Sequence, residues 1–339
     1  MLRRFAARLS FVATSLACVI AMWASPPAGA QERRTLKIDS FKSATLWPMW
    51  AAQKTGAFDK HGLAIELSYT RNSKSQLTGV IEGKFDMITT ALDNVIAYSE
   101  GEGAPGTPKN GDLIAFLGGN NGSLGLIAQP QYKSPKDFKG ADLAVDAIST
   151  GFSFVLREIL VRNGLGPDDY KLTAVGATGA RWQALQKKET AAALLTPPFT
   201  LIAAARGFSN VAEANDVLGG YQGSVSATRR DWAAKNADTI VRYIRAYRAG
   251  QVWLMAPANK DAAIAILKAE FPQMADNLTQ TTYKMLVTEN KGFNPGAKID
   301  MAGAKTVLDL RRRYGPKGKT ITNVAHFIDE RYFNTAIKP

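Results

Sequence analysis

TLKIDSFKSATLWPMWAAQKTGAFDKHGLAIELSY, residues 35–69, decides the fold class. Apolar and polar residues alternate at 35–40 and again at 63–69, the period of a half-buried strand. Between them residues 47–54 read as a helix, with Pro48 in the first turn, where a missing N–H costs nothing. Asp59-Lys60-His61-Gly62 turns the chain back from helix to strand. Strand, helix, strand is the building unit of an α/β protein.

The pattern continues outward from this unit. Residues 75–82 and 92–100 read as helices, 85–90 and 113–118 as strands, with a Gly- and Pro-rich loop at 101–111. Then it restarts. Strands are expected at 124–128, 143–146, 170–175, 191–195 and 209–211, and helices at 151–163, 181–187 and 199–206. Thr150 is the candidate N-cap of the first of these helices and Gly164 its stop. From about residue 231 the chain reads as helical. Ile240, Val241, Ile244 and Tyr247 form one apolar stripe, and further helices are expected at 261–270, 277–288, 301–314 and 323–332. The two α/β units show no detectable sequence repeat.

Upstream of residue 35 the chain opens with Arg3, Arg4 and Arg8, an apolar run at 9–24, and Ala28-Gly29-Ala30. This reads as a secretory signal peptide, residues 1–30, cut after Ala30. The run is too short and too interrupted for a stable membrane span. Cleavage would remove Cys18, the only cysteine, and with it any thiol nucleophile, disulfide or cysteine metal site. It would also remove three arginines, taking the net charge from +13 to +10. About 309 residues would remain, enough for two ordinary domains.

A basic excess can attract nucleic acid, acidic membranes or anionic small molecules. Here the basic residues are scattered, apart from Arg311-Arg312-Arg313 with Lys317 and Lys319. That cluster reads as a solvated helix end before Gly315-Pro316. No aromatic residues interleave with it, so nucleic acid is not an expected partner. The familiar catalytic patterns are missing too. There is no His-x-x-x-His, no Cys-x-x-Cys, no Gly-x-Ser-x-Gly and no phosphate-binding Gly-x-x-x-x-Gly-Lys-Ser/Thr. His61 falls in a turn and His326 in a helical pattern, both read as structural or surface residues. No catalytic residue, metal ligand or cofactor is expected.

What remains are strand ends rich in small polar residues that run into helix starts. Thr89-Thr90-Ala91-Leu92-Asp93-Asn94, Ser149-Thr150-Gly151 and Thr196-Pro197-Pro198 are the clearest; Trp47-Pro48 and Asn72-Ser73 are weaker. Free N–H groups at helix starts, helped by hydroxyls, hold anions and polar ligand heads. In open α/β sheets such ligands sit beyond the carboxyl ends of the strands.

At these residues the chain resembles the periplasmic solute-binding proteins of ABC importers. The resemblance is to the group with alkanesulfonate, taurine and nitrate binders and the thiamine-precursor (NMT1/THI5-like) proteins. Its ordered carriers are LKIDSF, WPMWAAQKTGAFDKHGLAIEL, IEGKFDMITTALDNVIAYSEGEG, SPKDFKGADLAV, LREILVRNGLGPDDYKLTAV and LLTPPFTLIAAARGF, and the resemblance as a whole covers about residues 36–257. One departure is Lys188-Glu189-Thr190-Ala191, where the family often has Gly-x-Val-Asp-Ala.

The resemblance implies a two-lobed α/β fold, the periplasmic-binding-protein type II (Venus-flytrap) architecture, each lobe a sheet flanked by helices. Lobe 1 would comprise 31–122 and 226–339, and lobe 2 would comprise 123–225, with crossings near 120–125 and 221–228. It implies a monomer that captures a small organic solute between the lobes in the periplasm and delivers it to a permease and ATPase complex at the inner membrane. It places ligand contacts at Phe41, Trp47, Asn72, Ser73, Thr90, Asp93 and Asn121, and at Thr150, Gly151, Thr178, Thr196 and Tyr221. Trp47 would offer an apolar wall and Asp93 an acceptor. Lys42, Arg71 and Arg181 are candidate counter-charges for an anion such as a sulfonate or aromatic carboxylate. A neutral or cationic heterocycle is the second ligand class. An enzyme on the same fold, of the pyrimidine-precursor or menaquinone-precursor type, and a periplasmic ligand sensor are the alternative functions.

Overall fold

The expected strand at 35–40 forms as β1 (Arg34–Ser40), burying Leu36 and Ile38 while Thr35 and Lys37 face out. The computed structural model describes residues 33–109, 111–289, 291–316 and 321–338; the expected signal peptide lies outside them. β1 sits second in a five-stranded sheet of order β2–β1–β3–β10–β4. The others are β2 (Leu63–Tyr69), β3 (Met87–Ala91), β4 (Leu113–Gly118) and β10 (Ser224–Arg229). β2 and β3 run parallel to β1, with Ile38 opposite Leu67 and Met87, and β10 runs antiparallel to β3 and β4. Helices α1 (Trp47–Lys54), α2 (Ala57–Lys60), α3 (Ser73–Ile81) and α4 (Leu92–Ser99) connect the parallel strands, as right-handed crossovers require.

The second sheet has the order β7–β6–β8–β5–β9. Its strands are β5 (Gly125–Ala128), β6 (Asp142–Val145), β7 (Lys171–Ala174), β8 (Ala192–Leu195) and β9 (Ser209–Glu213). They alternate with α5 (Gly151–Arg162), α6 (Thr178–Gln186), α7 (Phe199–Ala205) and α8 (Ala214–Leu218). The two sheets share one plan. In each, the fourth strand runs antiparallel to its neighbours, and it is the strand that has just arrived from the other sheet. β5 follows β4 across residues 119–124, and β10 follows α8 across 219–223.

β10 escaped the sequence reading. Ser224-Val225-Ser226-Ala227 alternates apolar and polar but is short and lies beside a glycine pair, so it read as connection. The tail then builds α9 (Arg230–Lys235), α10 (Ala237–Met255), α11 (Lys260–Glu270), α12 (Asp276–Tyr283), α13 (Met301–Tyr314) and α14 (Glu330–Ala336). The single helix expected at 323–332 is two pieces. Asn323 and Asp329 each cap a separate start, and between them Ile328 bridges to Ala115 of β4.

One apolar core runs from the first sheet (Ile88, Leu113, Val225) through Val95 of α4 and Phe154 of α5 to the second sheet (Leu126, Leu143, Leu194). Val307 and Leu308 of α13 join it, because α13 packs on both α4 and α5. A second core lies between the first sheet, α1 and α10, around Ile38, Met49, Tyr243 and Ile244. The basic cluster on α13 is not uniformly solvated. Arg311 is 2% exposed and faces inward, because Asp93 and Glu102 meet it there. Lys317 and Lys319 lie outside the described residues.

Candidate functional site

The carboxyl ends of β1, β3, β6 and β8 converge on one cleft between the two sheets. This is where parallel sheets place their ligands, since strand ends and helix starts both leave polar main-chain groups there. From the first sheet come Ser40, Phe41, Ser43, Thr45 and Leu46 after β1, then Thr89, Thr90, Ala91 and Asn94 around the start of α4. Asn120 comes from the first crossing and Ser224 from the start of β10. From the second sheet come Asp146, Thr150, Gly151, Phe152, Thr178, Arg181 and Thr196. The space between these atoms, taken out to open solvent, is about 690 Å³.

Local bonding fixes the walls. Gln76 Nε2 donates to Asp39 O (3.1 Å) and Thr89 O (3.3 Å), tying the ends of β1 and β3 together. Asn94 Nδ2 donates to Thr90 Oγ1 at 2.9 Å. Thr196 N donates to Thr178 Oγ1 at 3.2 Å, joining the end of β8 to the start of α6. Arg181 supports the floor, with Nε on Leu194 O (3.0 Å) and Nη1 on Gly176 O (2.6 Å). Burial pulls its guanidinium down to about 10, with nearby Asp146 acting the other way, so it stays charged at neutral pH.

The lobes are shut over this space. Ala44 N and Ser43 Oγ both donate to Pro197 O at 2.9 Å, and Ala177 N donates to Arg71 O at 2.9 Å. The crossings are sewn to each other, with Gly119 N on Ser224 O (2.8 Å) and Gly223 N on Asn120 O (3.0 Å). Gln222 Nε2 adds contacts to Asn120 O (3.0 Å) and Asn294 Oδ1 (3.0 Å). Yet several polar atoms in the cleft meet no hydrogen-bond partner among the described residues. Ser40 Oγ, Asn94 Oδ1, Asp146 Oδ1 and Thr196 Oγ1 are buried without a partner among the described residues. Buried polar groups are nearly always paired, so a cluster of unpaired ones lining a single cleft marks where a solute's polar groups would fit.

Six of the twelve residues given as ligand contacts line the cleft: Phe41, Thr90, Thr150, Gly151, Thr178 and Thr196. The others are placed elsewhere. Trp47 is wholly buried, donating Nε1 to Ala263 O at 3.0 Å with its ring edge-on to Tyr283, so it is core. Asn72 caps α3, its Oδ1 accepting from Ser75 N at 2.9 Å, and Ser73 is buried behind it. Asp93 turns away from the cleft to Arg311. Asn121 lies in the first crossing, its N–H on Gly292 O. Tyr221 lies in the second, fully buried; burial, and then the charge of Asp93, push its hydroxyl well above the usual range. Of the candidate counter-charges, Arg181 alone lines the cleft. Lys42 pairs with Glu270 at 3.3 Å, and the exposed Arg71 meets the second lobe through its carbonyl.

The other lining residues, among them Ser40, Ser43, Thr89, Asn94, Asp146 and Phe152, lie one to four positions from the residues given as ligand contacts or counter-charges. The signal that could have found them was the strand end itself. Both sides of a β-to-α turn face the cleft, not only the helix side. Among the described residues, no cluster of His, Cys, Asp and Glu could hold a metal ion, and no helix is long and apolar enough to cross a membrane.

The NMT1-like family model matches residues 29–268, more than half of the chain. The chain belongs to the NMT1-like family. No curated protein sequence matches it. Solved structures of the same fold include the periplasmic nitrate-binding protein NrtA of Synechocystis, with 14% identity over 90% of this chain and 88% of that one, TM-score 0.74. Another is the alkanesulfonate-binding protein SsuA of Xanthomonas axonopodis pv. citri bound to MOPS, with 14% identity over 88% of this chain and 99% of that one, TM-score 0.69. The desulfurization enzyme DSZB also shares it, with 13% identity over 90% of this chain and 99% of that one, TM-score 0.61. The same fold thus occurs in proteins named as binders and in one named as an enzyme.

Proposed function

We propose that this chain is the solute-binding component of an ABC-type importer. It captures a small organic solute between the lobes in the periplasm, as a monomer, and delivers it to a permease and ATPase complex. The observation that carries this reading is the cleft: strand ends from both sheets line it, buried unpaired polar atoms face it, and the two lobes close over it. The nitrate and alkanesulfonate binders that share the fold support it, as does the expected signal peptide.

Mechanically, residues 119–124 and 219–223 act as the hinge. Opening breaks the contacts of Pro197 O with Ser43 and Ala44 and of Arg71 O with Ala177, admits the solute, and lets water reach Ser40, Asn94, Asp146 and Thr196. Closing trades that water for the solute's polar groups. The permease distinguishes the two states by their surfaces, so binding alone sets the signal. No histidine, cysteine or lysine is among the described cleft residues, and Asp146 is the one lining carboxylate there that could act as an acid or base.

A thermal-shift screen of the chain from residue 31 against sulfonates, carboxylates, nitrate, amides and pyrimidines tests the reading. A compound that binds only the folded protein must raise its midpoint, and it should be recovered chemically unchanged. Turnover of the bound compound would overturn the reading.

A further inference from the structure

Charge inside the cleft is balanced. Arg181 is the one cation and Asp146 the one carboxylate among the described lining residues. The Arg181 guanidinium is largely engaged by the carbonyls of Leu194 and Gly176. Asp146 acts on that cation electrostatically, yet the two make no direct ion pair. Its Oδ1 is buried with no hydrogen bond from the described residues. A carboxylate oxygen can only accept, and an unmet buried acceptor costs more than a formed hydrogen bond contributes.

We infer that Asp146 is a specificity-determining residue that accepts a hydrogen bond from an N–H or O–H of the solute, and that the solute is an uncharged ring compound rather than an oxyanion. The inference rests on the cleft being the solute site. A sulfonate, nitrate or carboxylate set against Asp146 would meet like charge and have no hydrogen to offer it. Asn94 Oδ1 repeats the demand, since its Nδ2 is already on Thr90. Ser40 and Thr196 hydroxyls can donate or accept and so do not decide. Phe41 and Phe152 line the same space and give a flat ring its apolar faces. A donor beside an acceptor, as in a primary amide, satisfies Asp146 with its N–H and turns its carbonyl toward Arg181. The helix starts and the overall positive charge favour an anion; against them stands the Asp146 Oδ1, an acceptor inside the cleft that no described residue meets, whereas the Arg181 guanidinium already has its carbonyl partners.

Matched pairs test this: benzamide against benzoate, and nicotinamide against nicotinate, titrated calorimetrically into the mature chain at pH 7.5. The amide of at least one pair should bind at least tenfold tighter than its acid. In Asp146→Asn, which keeps the shape and removes the charge, that ratio should fall below threefold; Asp146→Ser serves if the Asn variant fails to fold. An acid that binds as tightly as its amide overturns the inference while leaving the binding function intact. So does a tenfold preference that survives in the variant. Silence from all four compounds at millimolar concentration overturns the cleft as a ring-compound site, and the inference falls with it.

Discussion

Arg311 meets Asp93 with two parallel bonds, Nε to Oδ1 at 2.7 Å and Nη2 to Oδ2 at 2.8 Å, and both side chains are buried. The same guanidinium gives Nη1 to Glu102 Oε2 (2.7 Å) and a further bond to Ser149 O (3.1 Å), and lies over the Phe154 ring. Helix α13 thereby ties α4 of the first lobe to the entrance of α5 in the second. Asp93, which has the position of a ligand acceptor in the sequence, is a structural anion.

Removing one partner of such a pair strands the other's charge away from water. Arg311→Met should therefore destabilise the protein by about 3–5 kcal/mol. The double variant Arg311→Met, Asp93→Leu should lose less than Arg311→Met alone, because it strands one carboxylate fewer. Urea denaturation measures both. A loss under about 1 kcal/mol for Arg311→Met, the scale of an exposed pair, would contradict the assignment.

Glu158 on α5 receives Tyr314 Oη (2.7 Å), Arg162 Nε (2.8 Å) and Arg313 Nη1 (2.7 Å). Burial alone would raise its pKa; the bonds from Tyr314 and Arg162 and the charge of Arg313 outweigh that and hold it below the ordinary 4.5. The folded value lies under the unfolded one. Its contribution is therefore complete above the unfolded value and is lost as pH falls through 4.5 toward the folded value. Stability should decline on acidification through that window, and Glu158→Gln should flatten the decline while lowering stability at pH 7. Denaturation series from pH 7 to about pH 3 decide it; an unchanged slope in the variant would contradict the account.

Gly250 sits where α10 crosses α1. A Cβ there would come within 2.6 Å of Ala52 N and Cβ and would also press on Pro48 O. Gly250→Ala raises helix propensity by about 1 kcal/mol, yet overpacking against main chain costs about 1–3 kcal/mol. The expected net result is a lower melting midpoint. A stabilised variant would show that the helices stand further apart than described.

The α/β alternation, the two units and most helices were legible because their apolar periodicity is local. β1, β2, α1 and α13 carry their pattern within one segment. β10 was not legible, since its place depends on β3 and β4, strands more than a hundred residues away in the chain. The cleft was legible by half for a related reason. Thr150 and Thr178 stand at helix starts, and Thr90 and Thr196 at strand ends that run into helices, which sequence marks. That Asp93 turns from the cleft is decided by Arg311 on α13, and no local pattern near residue 93 announces a partner 218 positions on.

The central claim is that a solute binds between the lobes. The direct measurement is calorimetric titration of the best compound from the thermal-shift screen into the wild-type chain and into Thr196→Phe, whose ring would fill the cleft. The account predicts one site per chain in the wild type and at least tenfold weaker binding in the variant, with unchanged circular dichroism. Equal affinity in a folded Thr196→Phe would place the solute elsewhere and contradict the account.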